Sequence, residues 1–492
     1  MTNKEEKYKL YSYFTSSEKT SIKKIIFLVF LIIFITLFSY YLSTVRNFAN
    51  LYNYVYSEWL VNYAGGFVRR GLTGSVIFWL RENLNLTNAK TFFMVIYSFY
   101  LIFFVWSIIY LIKVNKSLKV LTIETILIFL FLPCLILFPI NSLGGLGRKE
   151  YLFFFGLLIN LWLVSQTVNS LYLSDINKAK QELNRKTIDK YCYQLFIFYN
   201  LFSIPTALSH EAILFLVLPL NILITFTLLR LNNSSIQVVK NTLLIYSPTI
   251  LVCLISMIFK GNEEIAMSIC QSWQKSNLFL DCQELPEVLS YYTYSTFEAI
   301  KATFKLNILH DNGLRFLSWI TAFFLSTIIL MRASEITISK TVEEENRRLY
   351  IKNESLSFSP QEVSINFSFK YFFLPFLASF ILYIIAFDWG RWFMIISITY
   401  AICLLTPILI KLEIYSYQKN QDLFKIIAPI YHIYSKIISY FQNNFNIKRY
   451  YLIYFILLIY TLFFIRIPIW SINLFDLSGG FIPIHFYTIF GS

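Results

Sequence analysis

Long apolar runs recur along the chain, separated by shorter polar segments. Eleven of them are candidates to cross a hydrocarbon core about 30 Å thick: 25–42, 92–112, 121–139, 151–165, 191–206, 212–229, 241–259, 316–331, 371–386, 393–410 and 450–466. The run at 151–165 is short and carries Asn160, so it also reads as a re-entrant segment, which would move every later loop to the other side. The pattern predicts an all-α, polytopic transmembrane helical protein of about 11 spans. It divides into a cytoplasmic N-terminal segment, 1–24, a single transmembrane domain, 25–466, and an external C-terminal segment, 467–492. Two external loops, 43–91 and 260–315, are long enough to fold over the bilayer. Within the first, 59–80 reads as one or two amphipathic helices lying at the interface.

Composition strengthens this reading. Only 14% of residues are charged and 57% are hydrophobic, against about 25% charged in soluble proteins. The first run follows Lys4, Lys7, Lys9, Lys19, Lys23 and Lys24, with no small-residue cleavage site, which predicts a retained span and a cytoplasmic N-terminus. About two thirds of the 42 lysines and arginines fall in the predicted cytoplasmic segments. The net charge of +14 is therefore a positive-inside bias, not a nucleic-acid surface. Of 14 glycines, only Gly156 lies in a span and none in a cytoplasmic segment, so the shaped backbone sits on the outer side. No internal repeat is visible, which argues against inverted-repeat transporters. Richness in Ile, Asn, Lys, Phe and Tyr fits an A+T-rich bacterial genome, hence an inner membrane.

Cys270 and Cys282 share an external loop and form a candidate disulfide, since such bonds persist outside the cytosol. Cytoplasmic connectors such as 340–352, and the external pair Glu263 and Glu264, read as solvated charge.

The candidate chemistry lies at the outer ends of spans. The stretch 57–74 packs Glu58, Tyr63, Arg69, Arg70 and four glycines into a few residues. Three further groups are 141–150 with Arg148 and Lys149, Ser209-His210-Glu211, and 388–392 with Asp388 and Arg391. Each has a bland reading: arginines snorkelling at headgroups, a hydrogen-bonded structural histidine, an ion pair three residues apart on one turn. Together they describe a polar pocket above an apolar body, and the spans themselves hold almost no charge apart from Glu124. An anionic head on a long lipid tail matches both halves, and polyprenyl-phosphate-linked sugars are such substrates. The expected catalytic carboxylates are Glu58, Glu211 and Asp388, one of them taking a proton from an acceptor hydroxyl, with desolvation raising its pKa. The expected substrate-binding residues are Tyr63, Arg69, Arg70, Arg148, Lys149, His210 and Arg391, arginines clamping phosphate. No residue set has zinc spacing and no cofactor is required, although Glu58, Glu211 and Asp388 would allow a divalent metal.

This layout resembles the GT-C superfamily of membrane glycosyltransferases, in which an essential acid lies in a long first external loop bearing interfacial helices. Glu58, sixteen residues beyond Leu42, occupies such a position, flanked by Ser57 and Trp59 where the superfamily often pairs two acids. The resemblance implies transfer of a sugar from a polyprenyl-phosphate donor to a glycan or lipid acceptor, in cell-surface glycan assembly. A second resemblance is to Wzy-type polysaccharide polymerases and O-antigen ligases, with functional arginines and a histidine in outer loops. There Arg69, Arg70, Arg148, Arg391 and His210 would carry the chemistry and Glu58 would be structural. A non-enzymatic flippase or transporter of lipid-linked glycan is the third reading.

Overall fold

With no water to satisfy backbone polar groups inside a bilayer, an apolar chain of this kind folds into helices, and every strand-like alternative is missing among the described residues. The computed structural model describes residues 54–84, 98, 102, 106, 148–173, 180–231, 234–276, 282–309, 314–351, 358–386, 388–419 and 428–444. The helices are α1 (Tyr54–Leu60), α2 (Gly71–Leu84), α3 (Phe153–Leu173, preceded by a 3-10 turn at Lys149–Leu152), α4 (Lys180–Ser209), α5 (Ile213–Leu216), α6 (Leu218–Leu229), α7 (Ser235–Ile258) and α8 (Glu263–Lys275). They continue with α9 (Glu287–Ser290), α10 (Thr296–Phe304), α11 (Leu314–Ile351), α12 (Pro360–Ser368), α13 (Leu374–Ile385), α14 (Trp389–Leu404), α15 (Pro407–Lys419) and α16 (Ala428–Asn444).

Three helices are long and apolar enough to cross a membrane: Lys149–Leu171, Ser235–Ile258 and Pro360–Ile385. The pair Trp389–Leu404 and Pro407–Ile414, bent by 74°, is a fourth if taken as one broken span. Eleven spans are thus not what the described residues contain. The runs 25–42, 121–139 and 450–466, and nearly all of 92–112, lie outside those residues, as do the segments 1–24 and 467–492.

Elsewhere the differences have local causes. The run 212–229 breaks at Val217 because Pro219 cannot donate to Phe215, so α5 and α6 separate. The run 393–410 breaks before Pro407 for the same reason, and Thr406 ties the end of the first piece back by donating its hydroxyl to the Ile402 carbonyl at 2.7 Å. The run 316–331 sits inside α11, whose 38 residues make a rod about 57 Å long at 1.5 Å per residue. That helix also absorbs most of 340–352, read from sequence as a solvated connector, and its Glu345 is buried against Lys411 at 2.6 Å.

Asn160 does not interrupt its helix. Its amide donates to Asn221 Oδ1 at 3.0 Å and to the Tyr246 hydroxyl at 3.2 Å, and it accepts from the Tyr191 hydroxyl at 2.8 Å. Buried polar groups of this sort hold apolar helices together through hydrogen bonds that lipid cannot offer. The network joins α3, α4, α6 and α7, and the shortest predicted span belongs to a helix long and apolar enough to cross a membrane.

At one end of the bundle, segments from both long loops fold together as a cap. Leu60, Val61 and Val68 pack with Ala266, Ile269 and Trp273 of α8 and with Val288, Leu289 and Tyr292. Trp273 donates its indole N–H to the Leu60 carbonyl at 2.8 Å, and Asn62 donates to Ser272 at 2.9 Å. Gly74 permits this closeness, since a Cβ there would lie 2.0 Å from the Val61 carbonyl oxygen. Glu263 and Glu264 are first-turn residues of α8, capped by Asn262, where the helix dipole favours acids. A disulfide joins Cys270 of α8 to Cys282, with Cα atoms 6.0 Å apart. Replacing Cys282 by serine is expected to cost the cap about 2–3 kcal/mol. Hydrogen exchange checks this: amides of α8 and α9 should exchange faster while those of α4 and α7 stay unchanged.

Candidate functional site

Helix α1 carries the acid, and the loop between α1 and α2 the arginine pair, to the base of the cap. Arg70 there has a left-handed backbone, φ 65°, which a residue bearing a Cβ adopts only at a cost of about 1–3 kcal/mol. Its side chain makes up for this. Nε donates to Glu211 Oε2 at 3.0 Å, Nη2 to Glu211 Oε1 at 2.9 Å, and Nη1 to Glu58 Oε1 at 3.3 Å. Lys149 donates Nζ to the Arg70 carbonyl at 3.2 Å, which helps hold that conformation. Glu58, fully buried on α1, accepts a second guanidinium on its other oxygen, Arg148 Nη1 at 2.8 Å.

His210 closes the cluster from the α4–α5 turn. The Ala212 backbone N–H donates to its Nδ1 at 3.3 Å, so in the neutral ring the proton sits on Nε2. Nε2 lies 3.3 Å from Glu150 Oε1 and 3.8 Å from Glu58 Oε1. Burial first, and then Arg70, lower the His210 pKa against the pull of Glu150, keeping the ring neutral. Arg391, at the start of α14, brings Nε to 3.1 Å from Glu150 Oε1, pairs with Asp388 and stacks 4.4 Å over Trp392. That Nε contact is an ion pair without hydrogen-bond alignment, and Nη1 of the same guanidinium is buried without a hydrogen-bond partner.

Nine of the ten site residues singled out in the sequence, drawn from four separate segments, therefore meet at one end of the bundle or line the cavity there. Tyr63 is the exception: it stacks on Phe67 at 5.5 Å and fills the space beside Gly71. The cavity has a volume of about 560 Å³ and is lined by Arg69, Arg70, Arg148, Lys260 and Arg391, with Glu211, Glu287 and Asp388. Five bases against three acids leave it net positive, which favours an anionic ligand. Phe215, Met257, Leu306, Leu382 and Ile385 give it an apolar side.

Two expectations change here. Glu58 lies behind Arg70 and Arg148 and does not reach the cavity. Desolvation does push its carboxyl up, but Arg148, Arg391 and Arg70 outweigh that and hold it well below the usual range. Glu211 is likewise depressed: burial opposes, and Arg70, His210 and Arg69 prevail. Glu58 is thus sealed behind its arginines, while Glu211, paired with Arg70, and Asp388, its side chain 19% exposed, both line the cavity. Lys149 and His210 are buried and do not line the cavity.

The second change concerns a metal. Glu58, Glu211 and Asp388 are each claimed by arginine and make no common ligand set. Glu58, Glu150 and His210 do bring one donor atom each within 4.8 Å of one another. They do not fit a cation. Nε2 carries the proton that a metal would have to displace, moving it to Nδ1 would break the Ala212 bond, and three guanidinium groups already supply the positive charge.

Sequence reasoning passed over Glu150, Lys260 and the aromatic residues Tyr291, Tyr292 and Tyr294. Glu150 was legible, because it ends the Arg148-Lys149-Glu150 run and buried cations need a counter-charge. The tyrosines carry no charge or spacing signal. Comparison with known protein families, curated proteins and solved structures finds no match.

Proposed function

We propose that the chain is an integral-membrane glycosyltransferase that moves a sugar from a polyprenyl-phosphate-linked donor to an acceptor at the outer face of a bacterial inner membrane. The proposed architecture is GT-C-like, with about 11 spans and a cytoplasmic N-terminus. One observation carries the reading: a net-positive cavity with an apolar side, at the end of an apolar helical bundle. Arg69, Arg148 and Arg391 hold the donor phosphate, and the lipid tail follows the apolar side. The acceptor oxygen attacks the anomeric carbon, the carbon–oxygen bond to phosphate breaks, and its electron pair leaves on the phosphate, stabilised by the guanidinium groups. Asp388 takes the proton of the acceptor hydroxyl. The Cys270–Cys282 disulfide agrees with a cap outside the cytosol.

A polymerase or ligase of lipid-linked glycan is the second reading, favoured by the burial of Glu58 among arginines. The test is purified protein in proteoliposomes, given polyprenyl-phosphate donor with labelled sugar and an acceptor extract. Label is expected on the acceptor. Transfer only from a diphosphate-linked oligosaccharide selects the second reading. Donor that crosses the bilayer with no new glycosidic bond means a flippase and ends both.

A further inference from the structure

We infer that α9 and the turn after it form a carbohydrate-binding wall of the cavity, with Tyr294 as its platform; this rests on the transferase reading above and says where the sugar lies. Glu287, Tyr291, Tyr294 and Ser295 line the cavity, and none of them is a cation. The rings of Tyr291 and Tyr294 stand 5.6 Å apart at 83°, making a corner of one face and one edge. Tyr291 donates its hydroxyl to Glu287 Oε1 at 3.2 Å, and the Glu287 carboxylate is exposed with further acceptor capacity. Tyr294 is 38% exposed.

A pyranose suits such a corner. Its ring C–H groups carry slight positive charge and meet the negative face of an aromatic ring, while its hydroxyls donate to a carboxylate. Glu287 repels phosphate, and the polar groups here are wrong for a hydrocarbon tail.

The wall is also rigid and correctly placed. Tyr292, between the two lining tyrosines, points the other way: it donates to the Arg69 carbonyl at 3.3 Å, and the Arg69 guanidinium lies 5.3 Å over its ring. Val288 and Leu289 are buried in the cap core. Lys260 donates Nζ to the Tyr294 carbonyl at 3.0 Å. The sugar wall therefore adjoins Arg69 of the phosphate side and a second cation, Lys260, as a sugar phosphate requires.

The experiment is saturation-transfer NMR on the full chain in nanodiscs, with the methyl glycosides of glucose, galactose, N-acetylglucosamine and rhamnose as probes. At least one glycoside is expected to show enhancement concentrated on the C–H protons of one ring face. Tyr294→Ala should reduce it about fivefold or more, the scale of one aromatic contact, at an unchanged unfolding temperature, and Tyr294→Trp should restore it. No enhancement with any probe, or equal enhancement in Tyr294→Ala, overturns the inference. Enhancement that follows Tyr294 in a protein that moves no label from the polyprenyl donor leaves the wall standing and ends the transferase reading.

Discussion

Arg70→Lys is expected to abolish transfer and to cost the fold about 3–5 kcal/mol, the range for breaking a buried ion pair from one side. Arginine at this position uses three nitrogens at once, a fork on Glu211 and a third bond to Glu58. A lysine ammonium is a point charge that cannot span both carboxylates. One of them would lose this cation and keep only its weaker share of charge, Arg148 for Glu58 or Arg69 for Glu211, and the lysine would inherit the left-handed backbone with less to hold it there. Arg70→Gly would relieve the backbone but take the shared cation from both acids, leaving Glu58 only Arg148 and Glu211 only Arg69 at 3.8 Å, so it should fare no better. Thermal unfolding in detergent, read beside transfer, checks this. Pairing Arg70→Gln with Glu211→Gln should recover part of the lost stability, because the charge removed then matches the charge left behind. An Arg70→Lys protein that unfolds and transfers like the wild type would mean that the fork is not what assembles the site.

The convergence of these residues was legible because apolar runs leave charged groups only the helix ends to occupy. Once 57–74, 148–150, 209–211 and 388–392 fall at one end of a bundle, a shared pocket follows. Tertiary packing decided what could not be read. Glu58 and Asp388 look equivalent as lone acids near span ends, yet one is sealed behind two arginines and the other meets the cavity. The breaks before Pro219 and Pro407 were present as proline signals, but in runs so apolar that length overrode them. Lys370 and Glu413 illustrate the reverse error. Placed by sequence in separate cytoplasmic segments, they pair at 2.6 Å, with the Tyr371 hydroxyl also donating to Glu413 at 3.2 Å, so charge that looks solvated is buried.

Asp388→Asn and Glu58→Gln are expected to fail in different ways. Asp388→Asn should lower transfer by about 10²–10⁴, the range for a lost general base, and unfold close to the wild type because its pair with Arg391 is partly exposed. Glu58→Gln should unfold more readily by several kcal/mol, since Arg148 and Arg70 lose a buried counter-ion. The pH dependence of unfolding separates the two further. Glu58 and Glu211 have folded pKa values below the ordinary 4.5, so their stabilisation is complete above about that pH and drains away as pH falls through the folded values. His210 also has a lowered folded pKa, so its contribution is present above 6.5 and is lost on acidification below it. Unfolding midpoints should therefore fall in two stages beneath pH 6.5. His210→Gln should remove the upper stage, and Glu58→Gln should shrink the lower one. If Glu58→Gln instead keeps the wild-type unfolding curve at every pH and loses only transfer, the proton acceptor is Glu58 after all, and the arginines around it tune chemistry rather than architecture.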